Sequence, residues 1–375
     1  MNILMNAISA RLGGGQTYIR NLISSESFEN IDNIYVLKPA DLVIPRNKLV
    51  KMLKVPDKAV ISPFFRVYWE KRNIGKLIND LGIDIYFCPG GSLNYVHPDN
   101  SKRPVKSVVT FQNMLPLDAR QVKKYGFSRM RLRNVILRHV FKRSMKNADL
   151  VIFLSQFARD KALELTRGKI RNYKLIPHGI EAPAESTASD LDHRTFTFPY
   201  LLYVSTLDVY KSQIEVIQAF ALLKKTGYPD LKLVLAGESY KPYRKKVEHE
   251  IAKLELTDHV VVTGLVEKET LMELYANAEI NIFASQTENC PFILLEAMCM
   301  GKPVLSSNLP PMNEVAGDAV VYFDPRDPQE LTDKIRDVLQ HPEQFEKYVF
   351  KGKEKVREYN LELASRTTWE AIISA

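Results

Sequence analysis

The sequence predicts two doubly wound α/β domains joined by a linker and closed by C-terminal helices. Three observations predict it. Short apolar runs alternate with longer segments of helical periodicity through both halves of the chain, the pattern of mostly parallel sheets covered on both faces. Residues 181–198 interrupt that pattern with a non-periodic stretch rich in Ala, Ser and Asp, as a linker does. Charge is also divided at this point: residues 1–180 hold 31 Lys and Arg against 13 Asp and Glu, and residues 181–375 hold 21 against 31. Halves of opposite sign point to two domains with different partners. The expected organisation is an N-terminal domain over 1–180, a linker over 181–198 and a C-terminal domain over 199–375, with the last helix packing back on the N-terminal domain.

The elements follow in order. Strands are expected at 2–7, 33–37, 84–88, 106–111 and 150–154, with helices at 17–23, 67–81, 127–146 and 156–165 among them and a last short strand and turn over 174–180. After the linker come strands at 200–204, 231–236, 260–263, 280–284 and 303–306. Helices at 213–224, 243–254, 268–277 and 292–300 alternate with these, and 331–339 and 342–373 read as helical. Two such domains place ligands in the crevice beyond the carboxyl ends of their strands.

Composition narrows the function classes. A chain of 375 residues with 45% hydrophobic and 26% charged residues supports two sizeable cores. Cys88, Cys290 and Cys299 are odd in number and follow no metal-ligand spacing, which excludes a disulfide framework and fits a reducing, cytoplasmic location. The opening residues lack the basic region of a secretory signal, and no apolar run is long enough to span a bilayer.

The sharpest segment runs from Ser285 to Met298. It leaves a strand, turns at Glu288 and starts a helix that carries Glu296 two turns on. A helix start offers free backbone N–H groups and the positive end of its dipole to a diphosphate. A carboxylate in the turn accepts hydrogen bonds from sugar hydroxyls, and one on the helix does so from a ribose. The plain alternative is an acidic residue complementing the helix dipole, with a second exposed Glu. Gly13, Gly14 and Gly15, after the first strand, form a turn that lets backbone approach an anion. They do not spell the dinucleotide fingerprint.

Glu288 and Glu296 stand as Glu-x7-Glu. Around them Leu274-Tyr-Ala-Asn-Ala278, Leu295-Glu-Ala-Met298, Gly301-Lys-Pro-Val304 and Asn313-Glu-Val315 follow in order, with Tyr203-Val-Ser-Thr-Leu-Asp-Val-Tyr-Lys211 upstream. Residues 200–340 resemble the donor-binding half of the family-4 retaining glycosyltransferases; the first half resembles them more loosely. The resemblance implies a GT-B architecture, with two Rossmann-like domains facing each other across a cleft that closes about the linker. It implies transfer of a sugar from a nucleoside-diphosphate sugar to an acceptor hydroxyl with retention of configuration, in bacterial surface polysaccharide or lipid-linked glycan synthesis.

Carried over residue by residue, the catalytic positions are Lys211, at the diphosphate, and Glu288, at the donor sugar. Donor contacts fall to Gly13, Gly14, Gly15, Thr206, Asn289, Cys290, Phe292 and Glu296. Gln112 and Asn113 lie on the acceptor or sugar side, where the family commonly has a His–Asp pair. Thr206 stands where the family has an Arg, His178 replaces an Asn, and Asn289, Cys290 and Pro291 replace a Gly-aromatic-Gly run. No cofactor and no metal is expected: Asp190 and Asp192 spell Asp-x-Asp but sit in the linker. A nucleotide-sugar epimerase of the same fold and a non-catalytic, membrane-associated binding protein are the alternatives. Loss of the donor motifs would mark the latter.

The basic N-terminal half points to one more partner. No acidic residue occurs between Asp118 and Asp149, where ten Lys and Arg do. Arg131, Arg138, Lys142 and Lys146 share a helix face, with Leu132, Ile136 and Val140 expected in the core. An anionic membrane surface on the inner side of the cell membrane fits this charge. Nucleic acid fits less well, because no recognition motif accompanies it.

Overall fold

A computed structural model of the chain describes residues 1–10, 13–24, 30–95, 104–181 and 194–375. The chain forms two compact units: Met1–Val122, Gly126–Gly179 and Leu361–Ala375 make unit 1, and Lys123–Tyr125 and Ile180–Asn360 make unit 2.

Unit 1 runs β1 (Asn2–Asn6), α1 (Gly14–Ser24), β2 (Asn33–Leu37), β3 (Val50–Leu53), α2 (Asp57–Ile61), α3 (Pro63–Asp80), β4 (Ile85–Cys88), β5 (Lys106–Phe111), α4 (Ala119–Lys123), α5 (Arg129–Asn147), β6 (Leu150–Phe153), α6 (Gln156–Thr166) and β7 (Tyr173–Leu175). Its strands form one parallel sheet in the order β3-β2-β1-β4-β5-β6-β7. β4 and β6 are buried along their whole length, which is why they read as continuous apolar runs. The edge strand β3 is half exposed, so its sequence shows no such run and no strand is expected there.

Helices start where side chains satisfy their free N–H groups. The hydroxyls of Ser62, Ser128 and Ser155 accept from Phe65, Arg131 and Ala158 N–H at the starts of α3, α5 and α6. One sheet face packs α3, α5 and α6 through Ile74, Ile78, Phe141, Met145, Ala158 and Ala162. The other packs α1 and the C-terminal helix, where Trp369 is buried and its indole N–H donates to Leu22 O at 2.9 Å. Truncating such a buried aromatic costs about 3–5 kcal/mol.

α5 is rotated relative to the sequence expectation. Asn134, Phe141, Ser144 and Met145 face the core, while Leu132 and Ile136 are exposed and Val140 is half-buried. Arg131, Arg138, Lys142 and Lys146 lie on the half-buried flank, and Arg138 donates to Leu117 O. The core accepts Ser144 and Asn134 because each donates to the carbonyl four residues back, to Val140 O and Met130 O. Polar residues at core positions hid the true phase of the helix.

Unit 2 continues with β8 (Tyr200–Val204), α7 (Gln213–Lys224), β9 (Lys232–Ala236), α8 (Lys241–Lys253), β10 (Val260–Gly264), α9 (Lys268–Asn277), β11 (Ile280–Phe283), α10 (Phe292–Cys299), β12 (Val304–Ser307), α11 (Met312–Ala316), β13 (Val321–Phe323), α12 (Pro328–Gln340) and α13 (Glu346–Arg357). Its parallel sheet has the order β10-β9-β8-β11-β12-β13. Ile180 N–H donates to Tyr359 O at 2.8 Å, so the chain enters and leaves unit 2 side by side. The helical pattern expected over 342–373 divides there, between α13 and α14 (Leu361–Ile373), and α14 belongs to unit 1.

Candidate functional site

In unit 2 the chain runs outward from β8 to β9 and returns across the sheet to β11, so β8 and β11 are neighbours at the point where strand order reverses. The loops leaving such a pair diverge and leave a crevice at their carboxyl ends, the usual ligand seat of a doubly wound sheet. Two loops leave here. One holds Thr206 and a 3-10 turn over Val209–Lys211; the other runs from Ala284 to Pro291 and starts α10.

Several contacts fix the first loop. Gly237, at the end of β9, has φ +136° and lies so close to β8 that a Cβ there would meet Ser205 O at 2.4 Å. Only glycine fits both the dihedral and the approach. Asp208 caps the 3-10 turn by accepting from Val209 N–H at 2.7 Å, and it also accepts from the Tyr125 hydroxyl at 2.7 Å. Tyr203 donates its hydroxyl to Lys211 O at 2.6 Å. Gln286 then ties the loops together: its side-chain amide donates to Ser212 Oγ at 2.6 Å, its N–H donates to Tyr210 O, and its Oε1 accepts from Lys124.

These contacts bring together the two residues that the resemblance assigns to catalysis. Lys211 is 6% exposed and its ammonium is ion-paired with Glu288. Burial opposes the Lys211 charge most strongly, yet Glu288, with Tyr203 and Asp208, together outweigh it and hold the amine above its ordinary range. The Lys211 ammonium also stands 5.0 Å from the Tyr210 ring centre and 5.8 Å from that of Phe283.

The remaining donor candidates are spread along the second loop and α10. Asn289 and Cys290 are buried, and Phe292 opens α10. Glu296 lies on α10 beside the aromatic Tyr275 of α9; burial raises its carboxyl above the ordinary range, against the pull of the Lys268 charge. Thr206 is exposed at the loop mouth. Beside this crevice, at the ends of β9 and β10, lies a groove of about 520 Å³ lined by Glu238, Lys241, Arg244, Gly264 and Leu265 among others. Motif reading did not find this groove, nor Ser212, Gln286, Asp208 and Tyr125. Their partners lie far away in sequence, and only the Asp208 position before a turn hinted at capping.

In unit 1 the order reverses between β1 and β4. Gly13 has φ +62° and turns the chain into α1, with Gly14 its first residue. A Cβ on Gly15 would lie 3.9 Å from Gln112 Oε1, so the glycine turn and Gln112 meet at the carboxyl ends of β1 and β5. Gln112 donates to Pro89 O at 2.7 Å; Asn113 is exposed and accepts from Leu115 N–H. His178 is buried against the Tyr18 ring, and burial lowers its pKa to about 3, so it stays neutral.

Cys88, Cys290 and Cys299 form no disulfide; Cys88 and Cys290 are buried and Cys299 is half-buried. Among the described residues no three His, Cys, Asp or Glu side chains gather as metal ligands, and Asp190 and Asp192 lie outside them. No described helix is long and apolar enough to cross a membrane.

Comparison with known proteins agrees with this fold. Residues 193–355 match the family model described as glycosyl transferases group 1. The chain is 27% identical over 238 residues to the O-antigen chain mannosyltransferase B of Escherichia coli, a match spanning 61% of either chain. By structure it is similar to a sucrose-phosphate synthase from Thermosynechococcus elongatus, with a TM-score of 0.79 and 19% identity, covering 100% of this chain and 98% of that one. It is also similar to the Anabaena protein HepE in complex with UDP-glucose, with a TM-score of 0.72 and 17% identity, covering 100% of both chains. The fold is that of the GT-B glycosyltransferases, and residues 193–355 of this chain are similar to the group 1 glycosyl transferases.

Proposed function

We propose that this protein transfers a glycosyl group from a nucleoside-diphosphate sugar to an acceptor hydroxyl with retention of configuration, in the synthesis of a bacterial surface polysaccharide or lipid-linked glycan. The observation that carries this reading is the Lys211–Glu288 pair, buried at the strand-order reversal of unit 2 and beside the start of α10. Glycosyl transfer builds positive charge at the anomeric carbon and negative charge on the departing diphosphate, and preorganised donors stabilise the latter. Lys211 and the backbone N–H groups opening α10 take that role. Until a diphosphate arrives, the Glu288 carboxylate balances the Lys211 charge. The diphosphate replaces it as counter-ion and frees Glu288 to accept from hydroxyls of the donor sugar.

Glu296 is assigned to the ribose, and Thr206, Asn289, Cys290 and Phe292 to the walls of the donor site. In unit 1 we assign the 13–15 turn to backbone approach to an anionic ligand, and Gln112 and Asn113 to sugar or acceptor hydroxyls. The E. coli relative is an O-antigen chain mannosyltransferase, which supports a glycan acceptor. The basic N-terminal half is assigned to an anionic membrane surface.

The test is calorimetric titration with a panel of nucleoside-diphosphate sugars, followed by proton NMR of the anomeric signal in the product formed. Binding of at least one donor and a product of unchanged anomeric configuration are expected. An inverted product overturns the stereochemical assignment, and failure of every donor to bind overturns the reading as a whole.

A further inference from the structure

The buried residues of α3 are Glu70, Ile74 and Ile78, four apart and on one face of the helix. The two isoleucines join the apolar core of unit 1. Glu70 puts a carboxyl on the same stripe, 1% exposed. Burial pushes that carboxyl above the ordinary range, against the Asn6 and Asn94 amides and the charge of Arg66 one turn earlier. An apolar side chain would complete the stripe without this cost. What Glu70 holds explains its presence.

It holds two loops. Met5 pairs with Phe87, so Asn6 and Cys88 end β1 and β4 side by side, at the strand-order reversal of unit 1. The Asn6 amide nitrogen donates to Glu70 Oε1 at 2.9 Å and to the Tyr86 hydroxyl at 2.8 Å. Asn6 Oδ1 accepts from Ile8 N–H at 3.3 Å, which fixes the direction of the amide and begins the loop that leads to the 13–15 turn. From the loop after β4, Asn94 donates to Glu70 Oε2 at 2.6 Å. The two loops also meet each other, since a Cβ on Gly90 would lie 2.3 Å from Ser9 Oγ. Gln112 is tied to the second loop through Pro89 O. Strand-order reversals are where doubly wound sheets seat their ligands.

We infer that Glu70 is a positioning residue for the ligand seat of unit 1: its ionised carboxylate pins the loops after β1 and β4 through Asn6 and Asn94. Each carboxyl oxygen accepts from an amide N–H, the role an ionised carboxylate fills on both sides. A Gln at this position keeps the size but replaces one acceptor by a donor. Ile8 N–H and Tyr86 fix the Asn6 amide, so the Gln oxygen stays with Asn6 and its NH2 group faces the NH2 group of Asn94. Asn94 must then turn away, and the second loop is released. Adding Asn94→Asp restores a donor facing an acceptor, with the hydrogen bond reversed and the net charge unchanged. What the seat holds rests on the proposed function; the pinning does not.

The experiment uses the full chain as parent, Glu70→Gln, and Glu70→Gln with Asn94→Asp. Backbone hydrogen–deuterium exchange at neutral pH is the first readout. In Glu70→Gln the 89–95 peptide should exchange about 10-fold faster, the scale of a lost hydrogen bond to a charged group. The 6–10 peptide should change less, and peptides over β8 and β11 should not change. The double variant should return 89–95 to within about twofold of the parent. Its melting temperature and that of Glu70→Gln should stay within about 2 °C of the parent, because a buried charge leaves α3 together with its hydrogen bond. Release of nucleoside diphosphate from the donor found in the panel should be about 10-fold slower in Glu70→Gln and recover in the double variant, with calorimetric affinity for the free nucleoside diphosphate within about twofold throughout. Parent-rate exchange of 89–95 in Glu70→Gln overturns the inference, as does fast exchange that Asn94→Asp fails to restore. Fast exchange with parent-rate release overturns the positioning role. Should Glu70→Gln not fold, Asn94→Ala at its half-buried position carries the test: 89–95 should exchange faster and 6–10 at the parent rate, and no change in 89–95 overturns the inference. A parent that binds no donor removes the proposed function, while the exchange data still decide the pinning.

Discussion

Replacing Lys211 by Met deletes a buried charge while keeping the length and apolar stem of the side chain. Lys211 is 6% exposed and the Glu288 side chain 16%. Removing one partner of a buried pair costs about 3–5 kcal/mol, because the other charge is left without compensation. The residual exposure of Glu288 places the cost near the lower limit, about 3 kcal/mol. The contacts of the ammonium with Tyr210 and Phe283 are replaced by thioether packing of similar size. For a unit of this length the melting temperature should fall by about 6–12 °C. Adding Glu288→Gln removes the stranded charge, so the double variant should recover to within about 1 kcal/mol of the parent. The double variant should thus lie about 2 kcal/mol above Lys211→Met, read by differential scanning calorimetry of the parent, both single variants and the double variant. If Lys211→Met and the double variant melt together, well below the parent, the pair carries no such coupling and the charge-exchange account of donor entry fails.

Two further predictions follow from the same geometry. Glu296 has a raised pKa from burial, and a ribose is best held by its ionised form. Affinity for the nucleoside diphosphate should therefore fall on acidification already above the ordinary carboxylate range, and Glu296→Gln should lose about 1–3 kcal/mol at neutral pH and flatten that acidic limb; calorimetry across pH reads both. Gly237→Ala forces a Cβ against Ser205 O at 2.4 Å and a positive φ on a residue with a side chain, so it should cost about 2 kcal/mol or more in urea unfolding, and parent-like stability would show that β8 yields freely there.

Much of the fold was legible because its strands are buried on both faces and read as unbroken apolar runs: 33–37, 106–111 and 200–204 are strands at those residues. The half-exposed β3 and the three-residue β13 gave no such signal. α5 was found but wrongly phased, because Ser144 and Asn134 occupy core positions while Leu132 and Ile136 do not. The motifs put Glu288 in the turn before α10 and Glu296 on that helix, where the structure has them. They did not reveal that Lys211 and Glu288, 77 residues apart, form an ion pair. Nor did they reveal that Tyr125 and Lys124, far upstream, bind Asp208 and Gln286. Contacts of that kind are fixed by strand order and loop direction, which local periodicity does not encode.

The central claim is that Lys211 stabilises a departing nucleoside diphosphate. Release of nucleoside diphosphate from the donor identified in the panel, followed with acceptor present, should be about 10²–10³-fold slower in Lys211→Ala than in the parent at a temperature where both are folded. Equal rates in the two folded proteins would contradict the account.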